Sequence, residues 1–174
     1  MKTVFIHPER CIGCKQCEVA CAVAHSQTKN VYLAVFERPS PKPRIHAEPG
    51  LTLNTAFPNK CRHCNPAPCQ MVCPTAAIYR PADFPEIVEV NAQKCIACGM
   101  CAMVCPFGAP RFTPGEKMEK CNFCIDRVSN GFEPACVHTC TTRALDFGTI
   151  DALSRKKAKQ ASVKILKGLY SAAV

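Results

Sequence analysis

The sequence predicts an α+β fold: two related small units, each organised around cysteines, with short helices and hairpins and a further helix at the C-terminus. Three observations carry that expectation. Sixteen cysteines fall into four groups of four with none left over. The segment from Val4 to Cys21 aligns without gaps on the segment from Val88 to Cys105, an offset of 84 residues, as a duplicated unit would. Beyond residue 150 the cysteines stop, and apolar residues recur at steps of three and four.

The elements follow in order. Residues 3–7 read as a strand entering the first cysteine group, and residues 17–27 as a short helix. Pro39, Pro41, Pro43 and Pro49 mark residues 31–56 as an extended connection lying over the surface, with a brief strand at 44–48. Residues 77–80 and 87–90 are expected strands around the turn from Pro81 to Pro85, and residues 145–150 a closing strand. In residues 151–174, Ala158, Ala161, Ile165 and Leu169 share one face, with lysines elsewhere, which predicts a basic amphipathic helix. Three uses are open for it: folding back over one unit, docking on a partner subunit or a second copy of the chain, or lying on a membrane surface.

Composition narrows the class. An even cysteine count would suit a disulfide framework, but such frameworks belong to short secreted chains. The first ten residues lack the apolar region of a signal peptide, so a reducing cytoplasm is expected and the thiols read as metal ligands. The longest uncharged runs, 63–79 and 95–110, are interrupted by cysteines and prolines, so no transmembrane segment is expected. A formal charge of +9 invites a nucleic-acid reading. Four bound clusters at roughly −2 each would bring the chain to about +1. Five of the nine positive charges also lie in the tail, where Arg155, Lys156, Lys157, Lys159, Lys164 and Lys167 face Asp151 alone. With no Trp there is little stacking surface for bases, and no nucleic-acid partner is expected.

The spacings are informative. Cys11, Cys14, Cys17 and Cys21 run C-x2-C-x2-C-x3-C, and Cys95, Cys98, Cys101 and Cys105 repeat that pattern before Pro106. Cys61, Cys64, Cys69 and Cys73 run C-x2-C-x4-C-x3-C before Pro74, and Cys121, Cys124, Cys136 and Cys140 run C-x2-C-x11-C-x3-C. Three thiols at tight spacing wrap one iron–sulfide cube, while the fourth, on a helix turn, reaches a different cluster. A structural zinc module is the competing class; four-cysteine zinc sites pair two separate C-x2-C knuckles and need no third and fourth thiol so placed. The second and fourth groups also match each other, with Lys60-Cys-Arg-His-Cys64 beside Lys120-Cys-Asn-Phe-Cys124.

The four-group pattern, with x4 in the second group and x11 in the fourth, resembles the four-cluster electron-transfer subunits of molybdopterin enzymes, hydrogenases and formate hydrogenlyase-type complexes. The resemblance covers residues 1–150. CEVACAVAHS from Cys17 and FPNKCRHCNPAPCQMVCP from Phe57 are most similar to the iron–sulfur protein that accompanies carbon monoxide dehydrogenase. The resemblance implies four 4Fe-4S clusters in two bacterial-ferredoxin-like double-cluster units: residues 1–30 with 111–150, and residues 57–110. It further implies the ligand sets Cys11, Cys14, Cys17 and Cys140; Cys121, Cys124, Cys136 and Cys21; Cys61, Cys64, Cys69 and Cys105; and Cys95, Cys98, Cys101 and Cys73. Thr141 stands where proline often follows the last cysteine, which puts that local turn in question.

No Gly-rich phosphate loop and no nucleophile with an adjacent base appears, so no catalytic residue is assigned. His63 and His138 lie inside ligand groups, where each could donate to cluster sulfur or be an ordinary core or solvated histidine. The expectation is an electron relay, not an enzyme. Its partner would be carbon monoxide dehydrogenase or a formate dehydrogenase/hydrogenase complex, at the membrane face if that complex sits there.

Overall fold

The computed structural model describes residues 2–113 and 115–171, the last three by backbone alone. β1 (Lys2–Ile6) buries its central Val4 and pairs antiparallel with β6 (Leu145–Thr149), from Lys2 opposite Thr149 to Ile6 opposite Leu145. A 3-10 turn at Pro8–Arg10 leads into the first cysteine group, and α1 (Gln16–Ala24) carries Cys17 and Cys21 on its buried side. This helix stops three residues short of the expected end, where His25 N–H donates to the Cys21 and Ala22 carbonyls.

The proline-rich connection is more structured than expected. Asn30 caps α2 (Val31–Ala34) by accepting from Tyr32 and Leu33 N–H. β2 (Ile45–Pro49) then pairs with β3 (Ala56–Lys60), a strand not foreseen from sequence. Ile45 and Ala47, two residues apart, point inward at 1% and 6% exposure. That alternation corrects the reading of 31–56 as a surface connection, because β2 belongs to the core.

Short elements complete the chain: α3 (Pro68–Met71), β4 (Ile78–Tyr79) paired with β5 (Glu89–Val90), α4 (Met100–Met103), α5 (Ile125–Ser129) and α6 (Ala135–His138). Two cores result. One joins Val4, Ile45, Ile87, Phe123, Val137 and Leu145 with Cys17, Cys21 and Cys136; the other joins Ala67, Ile78, Val88 and Met118 with Cys101. The largest fully buried side chains are Ile45, Ile87, Leu145, Val88, Val137, Pro58 and Pro134, with no aromatic among them.

The tail forms α7 (Ile150–Ser171), and its packing face is not the expected stripe. Leu153 is buried against Gly148, Lys156 Nζ reaches both Asp146 oxygens at 2.8 and 2.9 Å, Lys157 lies 4.8 Å from the Phe5 ring centre, and Gln160 accepts from Arg10 at 3.2 Å. Burial works to raise the Asp146 carboxyl, but Lys156 and His7 outweigh it and hold it below the usual carboxylate range. Ala158, Ala161 and Ile165 are exposed, and the Leu169 side chain lies outside the described residues. The correction has a physical cause: α7 lies on a narrow two-stranded sheet, which mixed residues cover with their aliphatic stems. Among the described residues, no helix is long and apolar enough to cross a membrane.

Candidate metal centres

All sixteen cysteines are free. Their loops are shaped by residues in the left-handed region, at positions that the internal repeat relates. In the first group Gly13 (φ 71°) and Lys15 (φ 60°) take it, and in the third Ala97 (φ 57°) and Gly99 (φ 78°), each pair 84 residues apart. His63 and Phe123 occupy equivalent places in the second and fourth groups, at φ 50° and 64°. Non-glycine residues held there cost energy, which an ordinary loop avoids and a ligand cradle accepts.

A second recurrence closes the fourth cysteine of the second, third and fourth groups. Ala76 N–H donates to the Cys73 carbonyl, Gly108 to Cys105 and Arg143 to Cys140, each at 3.2 Å. Thr141 therefore leaves the turn unaltered. Thr75 and Thr142 hydroxyls stand 3.8 Å from the Cys73 and Cys140 sulfurs. Backbone N–H groups also point at sulfur: Arg44 to Cys21 at 3.2 Å, and His63 to Cys61, Ala109 to Cys105 and Phe123 to Cys121, each at 3.4 Å. Such donors favour thiolate and tune a bound cluster.

The sulfurs gather across groups. Cys11, Cys14 and Cys17 line one cavity with Cys140, against Ala47, Pro58 and Leu145. Cys95, Cys98 and Cys101 line another with Cys73, against Ile78 and Met118. Burial pushes Cys21 up to about 12 and Cys136 well above the usual thiol range, and both feel Cys121 and Cys124. Cys69 is raised by burial and by its neighbours Cys61 and Cys105, while Arg62 stands beside Cys61 and Cys64. Burial likewise raises Cys17 and Cys101 to about 11. These buried thiols become good ligands when iron takes the proton's place.

Among the described residues, no three His, Cys, Asp or Glu side chains converge closely enough to hold one metal ion. Four thiols set around a cavity fit a cage of several irons, whose corners stand apart, better than a tetrahedral zinc. Residues 53–150 match the family described as a 4Fe-4S dicluster domain, and residues 8–24 match a 4Fe-4S binding domain. The chain belongs to the 4Fe-4S dicluster family.

Relatives of this dicluster protein match it over most of their length. It is 38% identical to the B subunit of the anaerobic dimethyl sulfoxide reductase of Escherichia coli, over 91% of this protein and 78% of that one. It is 40% identical to a thiosulfate reductase electron transfer subunit of Salmonella typhi, over 85% and 76% of the two proteins. It is 37% identical to an iron-sulfur protein of Rhodospirillum rubrum, over 86% and 83%. The cofactors are 4Fe-4S clusters, sixteen cysteines match four of them, and the chain transfers electrons rather than converting a substrate. These matches set the zinc module aside.

The two histidines singled out from sequence part company. His138 is exposed on α6 and makes no side-chain hydrogen bond among the described residues. His63 is buried; its Nδ1 accepts from Val88 N–H at 3.0 Å, so the ring proton sits on Nε2, which has no protein acceptor. Burial, then Lys120 and Lys60, lower its pKa to about 2 and keep it neutral. Sequence reasoning missed His25, whose Nδ1 lies 2.8 Å from the Cys21 carbonyl oxygen and whose Nε2 lies 2.9 Å from Asn122 Oδ1. Its place four residues after Cys21 on a helix was the available signal.

Proposed function

We propose that this chain is the electron-transfer subunit of a molybdopterin-type reductase complex, with four 4Fe-4S clusters on the ligand sets Cys11/Cys14/Cys17/Cys140, Cys121/Cys124/Cys136/Cys21, Cys61/Cys64/Cys69/Cys105 and Cys95/Cys98/Cys101/Cys73. When bound, each cluster takes up and gives back one electron. The chain's own part is to hold sulfurs, aim N–H groups at them and limit water. What supports this reading is that the fourth cysteine of one group lines the cavity of another, Cys140 with the first group's thiols and Cys73 with the third's. Such exchange is how a double-cluster unit seats its two clusters side by side.

The partner is inferred from kinship. The named complexes among the relatives above are dimethyl sulfoxide and thiosulfate reductases. That favours a reductase of this type over the carbon monoxide dehydrogenase and formate dehydrogenase/hydrogenase partners that the sequence phrases suggest. Sixteen thiols committed to iron suit a reducing compartment, so we place the subunit in the cytoplasm, held to a membrane face if its complex is. Affinity purification of the tagged chain from its own cells without oxygen is the test. About sixteen iron and sixteen sulfide per chain, with a molybdenum-containing subunit retained, is the expected result. Retention of a nickel-containing dehydrogenase in its place overturns the partner, and sulfide-free protein overturns the ligand sets.

A further inference from the structure

Electron transfer leaves one motif unexplained: a lysine precedes the first cysteine in three groups, and while Lys94 before Cys95 is exposed, Lys60 before Cys61 and Lys120 before Cys121 turn inward. Both are buried, at 3% and 4% exposure. Lys60 Nζ donates to the Cys61 carbonyl at 3.1 Å and lies 5.4 Å from the Phe123 ring centre. Lys120 Nζ donates to the Val88 carbonyl and, at 3.2 Å, to that of Cys121. Neither has a carboxylate partner among the described residues.

A buried ammonium without a counter-charge is strongly disfavoured, so something else must balance it. The contacts that cross between groups identify what. Lys120, from the fourth group, bonds to the carbonyl of Val88, whose N–H donates to His63 inside the second group's ligand loop. Lys60, from the second group, faces the ring of Phe123 inside the fourth group's ligand loop. His63 and Phe123, equivalent in the repeat, meet edge to face between the two lysines, 5.3 Å apart.

We propose that Lys60 and Lys120 are reciprocal counter-cations: each projects from the ligand loop of one double-cluster unit and balances the cluster held by the other, making the clusters of the second and fourth groups easier to reduce. The proposal rests on the ligand sets given above. A cluster that accepts one electron gains one negative charge, with no bond made or broken and no proton moved, and a fixed cation beside it favours the reduced form. Both lysines are positioning residues for that charge.

The full-length, cluster-loaded chain tests this by redox titration followed by electron paramagnetic resonance. In Lys120→Gln, the cluster whose signal Cys69→Ser alters should lose at least tenfold in its reduction equilibrium, about 59 mV downward. Lys60→Gln should move the signal that Cys136→Ser alters, and Lys→Arg at either position should keep the original potentials. Unchanged potentials in both Gln variants at full iron overturn the proposal, as does a shift confined to the cluster of the lysine's own loop. If a Gln variant fails to hold iron, the Arg variant decides: full iron at the original potentials supports a charge, and failure there overturns it in favour of packing. Wild-type protein without its sixteen irons would instead defeat the ligand sets, so the two failures are distinguishable.

Discussion

Cys21 sits one turn beyond Cys17 on α1, yet its sulfur takes its N–H donor from Arg44 and its neighbours from the fourth group. Cys21→Ala should therefore lower the iron content from about sixteen to about twelve, with the loss falling on the cluster of Cys121, Cys124 and Cys136. Loss of the Cys11 cluster instead, seen in the spectrum of a Cys11→Ser and Cys21→Ala pair, would reverse the assignment. Gly13 and Ala97 make a second contrast, because both lie in the left-handed region but a side chain on Gly13 meets Ala56 Cβ at 3.2 Å, whereas Gly99 beyond Ala97 stands in open space. Gly13→Ala should cost about 1–2 kcal/mol and Ala97→Gly should return about 1 kcal/mol, read as opposite shifts in thermal unfolding under argon. The four cysteine groups were legible in the sequence because their spacing is a local code. His25, Lys60 and Lys120 were not, since what marks them is burial against a distant chain segment.

α7 divides along its length. Its first turns are fixed by Leu153, Lys156, Lys157 and Gln160, while Val163, Ile165 and Leu166 are 43%, 64% and 50% exposed. A chain ended after residue 162 should keep its unfolding temperature, whereas one ended after residue 150 should lose about 2 kcal/mol or more, the worth of Leu153 and its ion pair. If the chain ended after residue 162 fails to capture the reductase partner at unchanged stability, the exposed apolar segment is the docking element. Periodicity showed that the tail was helical but selected the wrong face, since the alanines that make the stripe bury too little area to decide the packing. The partner strand β3 escaped notice for a related reason: Pro58 interrupts the alternation, though it is tolerated in a two-stranded sheet with free edges.

Across the molecule, the +9 formal charge and the small number of buried aliphatics point the same way. Removing iron with a chelator should abolish the cooperative unfolding transition and strengthen binding to a cation exchanger, since the thiolates take up protons as the clusters leave and the chain loses about eight net negative charges. An apo-protein that unfolds cooperatively at the holo temperature would contradict it. The α+β class and the duplication were readable from the cysteine groups and the 84-residue offset, whereas the pairing of β1 with β6 joins segments about 140 residues apart and left no local signature. That pairing gives the chain the logic of nested parentheses. A ribosome that has released residues up to 120 has delivered every proposed ligand of the second unit, from Cys61 to Cys105, together with Met118 of its core. The first unit has by then waited longest and still lacks Cys121, Cys124, Cys136 and Cys140 and the strand that closes over it. On the proposed ligand sets, iron delivery during synthesis is expected to load the middle of the chain first and its earliest cysteines last.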